Sequence, residues 1–380
     1  MFARVTVPEV KLFSSFLQFL DAQPVLGVHI RALRLIGDPL ACYYYMAVSH
    51  LTLDGFLSII SQLSALRTLS LWDIQACDHP STFRLADVAG QVKPALQKLS
   101  IRNPRGRHSW GTTLRWLLSN CSVDALEIAD VPLADTLEGV LALTPLSDRV
   151  SVRSLAIIGS RWPNEYSYQF FEALICPGSL RTFSARCPTP LCATYILSFI
   201  RSIGQNIAKL CLDIAPLSVQ GEEPDWKVIG EGIAACPNLE HLHIKVSACS
   251  LYDYSVHPRY TVFSTILPYA SRTLRTLTIE LAADPPWCYE LGDLETWDLP
   301  TLDDYLTREP VEFPSLTGVV IELGLPTSFK NSGLAFILLP KLRGLKETGL
   351  LLVLCDDITQ SFRTVYGIEP LQKADEGYAV

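Results

Sequence analysis

The chain has 380 residues, of which 49% are hydrophobic and 18% are charged, so it can bury a large core and is not globally disordered. Its formal net charge of −8 argues against non-specific binding to nucleic acid, because that affinity depends on clustered Lys and Arg side chains. No segment approaches the roughly 18 consecutive apolar residues of a membrane span. The 11 cysteines show no paired spacing, which favours reduced thiols in a cytoplasmic or nuclear protein.

Residues 1–29 are predicted to form an N-terminal capping region. The stretch "LFSSFLQFL" within it has the spacing of an amphipathic helix. Glu9 and Lys11 precede the stretch and no clear cleavage site follows it, which argues against a signal peptide. A repeat array needs a polar end, and this helix is expected to supply it.

An internal repeat organises residues 30–355. The spacing L-x-x-L-x-L, with other apolar residues substituting for leucine, occurs ten times, beginning at Ile30, Leu66, Leu96, Val123, Val152, Leu180, Ile207, Leu239, Leu274 and Leu316. Stretches with helical spacing separate the copies. One short strand and one helix per repeat is the unit of a leucine-rich-repeat protein, in which neighbouring copies must stack to bury their apolar faces.

The predicted fold class is therefore α/β, a leucine-rich-repeat solenoid (horseshoe) with about ten irregular repeats. Short parallel strands are expected on its concave face and helices on its convex face. The alternative is a doubly wound α/β domain, but the strands are too short and too evenly spaced for it. Asn or Cys is missing three residues after the last consensus position, where the sequence has Asp38, Ile74, Pro104, Val131 and Ser160. The turns must therefore be closed without the regular asparagine ladder, and an irregular solenoid is expected.

The phrases "LSALRTLSL", "ACPNLEHLHI" and "FPSLTGVVIEL" resemble the leucine-rich-repeat portion of F-box-type proteins, particularly the large families of mushroom-forming (basidiomycete) fungi. The resemblance covers roughly residues 10 to 355. It implies a non-catalytic protein without a cofactor, which recognises substrates for an F-box-type ubiquitin ligase. An F-box usually precedes the repeats, and none is visible before Ile30, which puts a Skp-type adaptor in doubt. The alternative is a stand-alone scaffold or an inhibitor that caps an enzyme.

Side chains between the consensus positions are expected to point outward on the concave face, because successive side chains of a strand alternate between its two faces. This face is less acidic than the whole chain, which predicts an acidic segment of a protein as the partner. Trp and Arg are frequent anchors of such contacts. Solvated charges without a special partner remain the alternative. The candidate partner-binding residues are Arg34, Trp72, Lys98, Arg102, Arg186, Lys209, His241, His243 and Lys245.

Two later segments depart from the repeat. Residues 283–313 form an acidic insertion, in which Trp287, Tyr289 and Trp297 are candidates for a second contact surface or lid. A locally packed acidic loop is the alternative. Residues 356–380 are predicted to be a C-terminal cap or tail.

The sequence contains no recognised catalytic signature, and we predict that the protein is not an enzyme. "GEGIAA", from Gly230 to Ala235, matches G-x-G-x-x-A, but it lies in a helical stretch where a dinucleotide fingerprint would not form. His241 and His243 share a face with Lys209 and Lys245 beside them, and these ammonium groups argue against a metal site. Cys236 is expected in the turn before the strand, so no metal is predicted.

Overall fold

The computed structural model describes residues 4–8, 11–37, 50–51, 53–76, 94–103, 110–131, 133, 149–159, 165–187, 189–214, 226–247, 262–282, 299–308, 312–325, 339–357 and 363–367. The chain forms two compact units, Met1–Phe183 and Ser184–Val380, and the boundary falls within a strand. No helix in these ranges is long and apolar enough to cross a membrane.

The first unit is built from parallel strands that follow one another in chain order. Its strands are β1 (Arg4–Pro8), β2 (Ala32–Ile36), β3 (His50–Leu51), β4 (Thr68–Trp72), β5 (Gln75–Ala76), β6 (Ala95–Arg102), β7 (Ser122–Ala129) and β8 (Ser154–Ile158). Its helices are α1 (Lys11–Ala22), α2 (Pro24–Gly27), α3 (Leu53–Ser61), α4 (Gly111–Asn120) and α5 (Glu165–Leu174). Strands β1, β2, β4, β6, β7 and β8 are successive neighbours, and the short strands β3 and β5 pair with each other. The boundary strand is β9 (Thr182–Arg186).

The second unit repeats the same plan. Its further strands are β10 (Lys209–Asp213), β11 (His241–Ser247), β12 (Thr276–Ala282), β13 (Gly318–Leu325), β14 (Leu351–Asp357) and β15 (Arg363–Gly367). Its helices are α6 (Pro190–Ile203), α7 (Trp226–Ala234), α8 (Val262–Ile266), α9 (Leu299–Arg308) and α10 (Arg343–Glu347), with 3-10 turns at Gly204–Asn206 and Leu267–Tyr269. Strands β10 to β14 are parallel neighbours, and β15 is antiparallel to β14.

The predicted fold class, an α/β leucine-rich-repeat architecture, is confirmed. Each of the ten predicted repeats leads into a strand, β2, β4 or one of β6 to β13. Consensus residues of neighbouring strands lie side by side: Leu33 pairs with Leu69, and Leu69 pairs with Leu99. These side chains are almost completely buried, so each repeat completes the core of its neighbour.

The turns after several strands of the first unit use residues that tolerate a left-handed backbone. Asp73, Asn103 and Asp130 have φ values of 52°, 45° and 54°, and Gly159 has a φ of 133°. The backbone N–H of Asp73 donates to Arg102 O at 2.9 Å, and that of Asn103 donates to Ala129 O at 2.9 Å. Gly, Asn and Asp populate this region most readily. A residue with a left-handed backbone therefore closes each of these turns in place of the missing asparagine. This residue lies one position before the place where the repeat consensus has Asn or Cys.

The glycines of the G-x-G-x-x-A match serve helix packing. Both lie in α7, as the helical spacing predicted. A Cβ atom at Gly232 would overlap the Leu197 side chain of α6, and one at Gly230 would overlap the Tyr269 ring. Glycine is therefore required here for the close approach of neighbouring elements.

Several elements were not predicted from the sequence. Strand β1 lies in residues 1–29 beside the expected helix α1, whose capping role stays a prediction. Part of the acidic insertion forms helix α9, and its buried Asp303 accepts hydrogen bonds of 2.7 Å from the backbone N–H groups of Gly344 and Leu345. Asp303 thus caps the N-terminus of α10 from a distant part of the chain.

Candidate functional site

The side chains of the strands alternate between the core and the outer face, which we call the strand face. In β2, Leu33 and Leu35 are buried while Arg34 between them is partly exposed. All nine candidates predicted on the repeats occupy such outward positions, and the structure places them in two groups, one in each unit. Trp287, Tyr289 and Trp297 of the insertion lie outside the described residues.

The group in the first unit is centred on an aromatic ring, and we call it the Trp72 cluster. The guanidinium carbon of Arg34 lies 4.0 Å from the centroid of the Trp72 ring, and that of Arg102 lies 5.2 Å from it. The indole Nε1 of Trp72 is buried and has no hydrogen-bond partner in the described part of the chain. The remaining members of the cluster are Lys98, Ser100 and Glu127.

Glu127 neutralises two of the predicted binding residues. Its carboxylate accepts hydrogen bonds from Lys98 Nζ at 2.6 Å, Ser100 Oγ at 3.0 Å and Arg102 Nε at 3.0 Å. Burial raises the pKa of Glu127, but these donors outweigh burial and hold the pKa below its ordinary value. Arg34, by contrast, forms no ion pair with a described acidic residue. The sequence did not reveal this difference, because it depends on the register that places Glu127 next to Ser100.

The group in the second unit contains more charges, and we call it the Glu280 cluster: Arg186, Cys211, Asp213, His243, Lys245, Glu280 and Glu322. Arg186 Nε lies 3.4 Å from Asp213 Oδ2, and Lys245 Nζ lies 2.6 Å from Glu280 Oε1. The register aligns Lys245, Glu280 and Glu322 on three successive strands. Two of the predicted cations, Arg186 and Lys245, are therefore already next to carboxylates of the same chain.

The imidazole of His243 contacts Cys211 and Glu280 of the same cluster. Its Nε2 is 3.2 Å from Glu280 Oε2, but it is buried and its geometry is not that of a hydrogen bond. Burial by itself lowers the pKa of His243, but the contacts with Cys211 and Glu280 raise it to about 10. Burial raises the pKa of Glu280, yet His243 and Lys245 bring it down to about 2. Both partners are therefore charged at neutral pH.

The two other predicted binding residues of this unit are more open to solvent. Lys209 and His241 are exposed and occupy neighbouring positions in the register of β10 and β11. Within the described residues, neither forms an ion pair. Cys236 lies in the turn before β11, as predicted, and burial raises the pKa of its thiol to about 12. Such a thiol is an unreactive core group.

A third surface feature is apolar and was not predicted. A cleft of about 370 Å³ lies between β1 and α1, lined in part by Val5, Val7, Phe16 and Leu26. Phe19 also lines this cleft and is 44% exposed.

The strand order and the alternating strand face define a protein of the leucine-rich-repeat class. No protein-family model matches the chain, and no curated protein matches it. Among solved structures, the chain is similar to the leucine-rich repeat-containing protein LegL7 from Legionella pneumophila. The two chains are 12% identical, with a TM-score of 0.42 over 90% of each chain.

Proposed function

We propose that the protein is a non-catalytic recognition module whose strand face binds an acidic segment of another protein through the Trp72 cluster. The observation that carries this proposal is the contact between Arg34 and Trp72. Among the described residues Arg34 has no acidic partner, and the Trp72 ring holds its guanidinium on the strand face. A carboxylate of a bound segment would pair with this guanidinium.

The physical chemistry of this contact favours binding. Trp and Arg are enriched among the residues that dominate interface energies. The ring restricts the motion of the Arg34 guanidinium before the partner arrives, which reduces the entropy lost on binding.

The other predicted binding residues contribute to different extents. Lys98 and Arg102 are engaged with Glu127, so a partner gains less from pairing with them. Lys209 and His241 are exposed and offer a second place where acidic side chains can bind. We therefore assign the largest contribution to the affinity for the partner to Arg34 and Trp72.

The finer role that we propose is substrate recognition for an F-box-type ubiquitin ligase in the cytoplasm or nucleus. Its support is the resemblance of the repeat sequences. This role predicts that the bound partner accumulates when the proteasome is inhibited. A scaffold or an enzyme inhibitor would instead bind a partner whose lifetime does not depend on the proteasome.

Site-specific photo-crosslinking tests the location of the surface. A photoreactive residue at Ser70, which lies between Arg34 and Ser100 in the register, should capture a protein partner. The matched control places the same residue at the exposed Ser58 of α3. Capture of a partner at Ser70, lost on Arg34→Glu, supports the proposal. Equal capture at both positions, or capture at Ser70 that Arg34→Glu leaves unchanged, contradicts it.

A further inference from the structure

Three side chains of the Glu280 cluster are arranged as donors for a metal ion. His243, Glu280 and Glu322 each offer one ligand atom, and these atoms all lie within 4.8 Å of one another. Two donors bound to one tetrahedral zinc ion lie about 3.4 Å apart, given zinc–ligand distances near 2.1 Å. The observed spacing is therefore within reach of small side-chain rotations.

The environment of the His243 imidazole is a further observation that points to a bound ion. Nε2 of His243 is buried, has no hydrogen-bond partner in the described part of the chain, and lies 3.2 Å from Glu280 Oε2. A buried nitrogen without a partner carries a desolvation cost that a coordinated ion would remove. Once zinc has displaced the imidazole proton, a lone pair on this nitrogen and a carboxylate oxygen face the same small volume.

Lys245 does not block this volume, because it holds the other oxygen of Glu280. Its ammonium group lies 2.6 Å from Oε1, whereas Oε2 lies next to His243. Ligating carboxylates are commonly held by an outer hydrogen bond of this kind. Lys245 thus orients Glu280 as a ligand through one oxygen, although its charge also weakens the attraction for a cation.

We propose that His243, Glu280 and Glu322 form a binding site for a zinc ion on the strand face of the second unit. This inference goes beyond the proposed function and does not depend on it. One imidazole and two carboxylates balance the charge of a divalent ion, and mixed nitrogen and oxygen donors suit zinc. Zinc binds the neutral imidazole, so binding releases the imidazole proton. A fourth position stays open for water.

Zinc binding to the full chain tests the site. Equilibrium dialysis with Zn²⁺ alone, followed by elemental analysis, should show a zinc ion that His243→Gln and Glu322→Gln each weaken by about tenfold or more. His241→Gln is the matched control, because this exposed histidine is on the same strand and should leave binding unchanged. Zinc should also raise the thermal midpoint of the wild-type chain and of His241→Gln.

Two results would overturn the proposal. One is the absence of zinc binding by the wild-type chain at tens of micromolar protein and metal. The other is equal binding by the wild-type chain, His243→Gln and Glu322→Gln, which would assign the zinc to cysteine thiols elsewhere. His243→Gln and Glu322→Gln each remove a different ligand. If one variant fails to fold, the other still tests the site.

Discussion

The guanidinium carbon of Arg34 on β2 lies 4.0 Å from the ring centroid of Trp72 on the neighbouring strand β4. The two residues come from successive repeats, 38 positions apart in the sequence. The cation–π contact fixes the plane of the guanidinium, whereas a lysine ammonium has no such plane.

Arg34→Lys should therefore weaken binding of the partner even though the charge is kept. The expected loss is about fivefold, which corresponds to about 1 kcal/mol of cation–π interaction. Titration of the isolated partner against both chains measures this difference. An unchanged dissociation constant would show that only the charge matters.

Glu127→Gln should destabilise the first unit, because it removes the charged acceptor of three donors. The expected cost is about 1–3 kcal/mol in the free energy of unfolding, towards the lower end because Lys98 and Arg102 are exposed by 45% and 41%. Urea unfolding at neutral pH measures it. Unfolding free energies that agree to within about 0.3 kcal/mol would contradict the assigned role.

The lowered pKa of Glu127 predicts that the stability of the first unit depends on pH. Because the folded pKa of Glu127 lies below its ordinary value, its contribution is complete above that value. The contribution is lost as the pH falls through the folded pKa. The difference in stability between wild type and Glu127→Gln should therefore shrink progressively as the pH falls below about 5. A difference that stays constant over this range would count against the ion pairs.

Asp303→Ala should destabilise the second unit by about 1–2 kcal/mol, because two backbone N–H groups at the start of α10 lose their acceptor. Glu347→Ala is the control. Among the described residues its exposed carboxylate pairs with Arg343 in the same helix, so a change below about 0.5 kcal/mol is expected. Equal effects of the two substitutions, measured by chemical denaturation, would disprove the capping role.

Gly159→Ala should cost about 1–3 kcal/mol, because its φ of 133° is unfavourable for alanine. A Cβ atom there would also lie 2.6 Å from Asp130 Oδ1 and 2.7 Å from Asp130 N. Gly318→Ala provides the comparison, because no atom of the residues that the structure describes lies within 4 Å of its added Cβ. The control should change stability by less than about 0.5 kcal/mol. Thermal unfolding of both variants tests this contrast.

The fold could be predicted because its signal is local and repeated. The three apolar positions of each repeat specify side chains that stack in the core. The outward positions follow because successive side chains of a strand alternate between its two faces. The first strand, β1, was missed because its repeat begins with Phe2 and continues with Val5 and Val7. The spacing is the same, but the first residue is aromatic.

The charge pattern of the surface could not be predicted in the same way. Lys98 and Glu127 are 29 residues apart, and Lys245 and Glu280 are 35 apart, so each ion pair depends on the register between two strands. Counting outward residues identified the cations without showing which ones are neutralised. The cap of α10 by Asp303 likewise depends on a contact over about 40 residues.

Affinity purification with quantitative mass spectrometry tests the central claim most directly. The wild-type chain is compared with Arg34→Glu, Trp72→Ala and the control Arg67→Glu, which alters an exposed arginine outside the strands. At least one stoichiometric partner should be retained by the control and lost by both strand-face variants. The expected loss of affinity is about 30-fold, from about 2 kcal/mol for a hot-spot residue. Recovery of the same partners in equal amounts from all four chains would contradict the account.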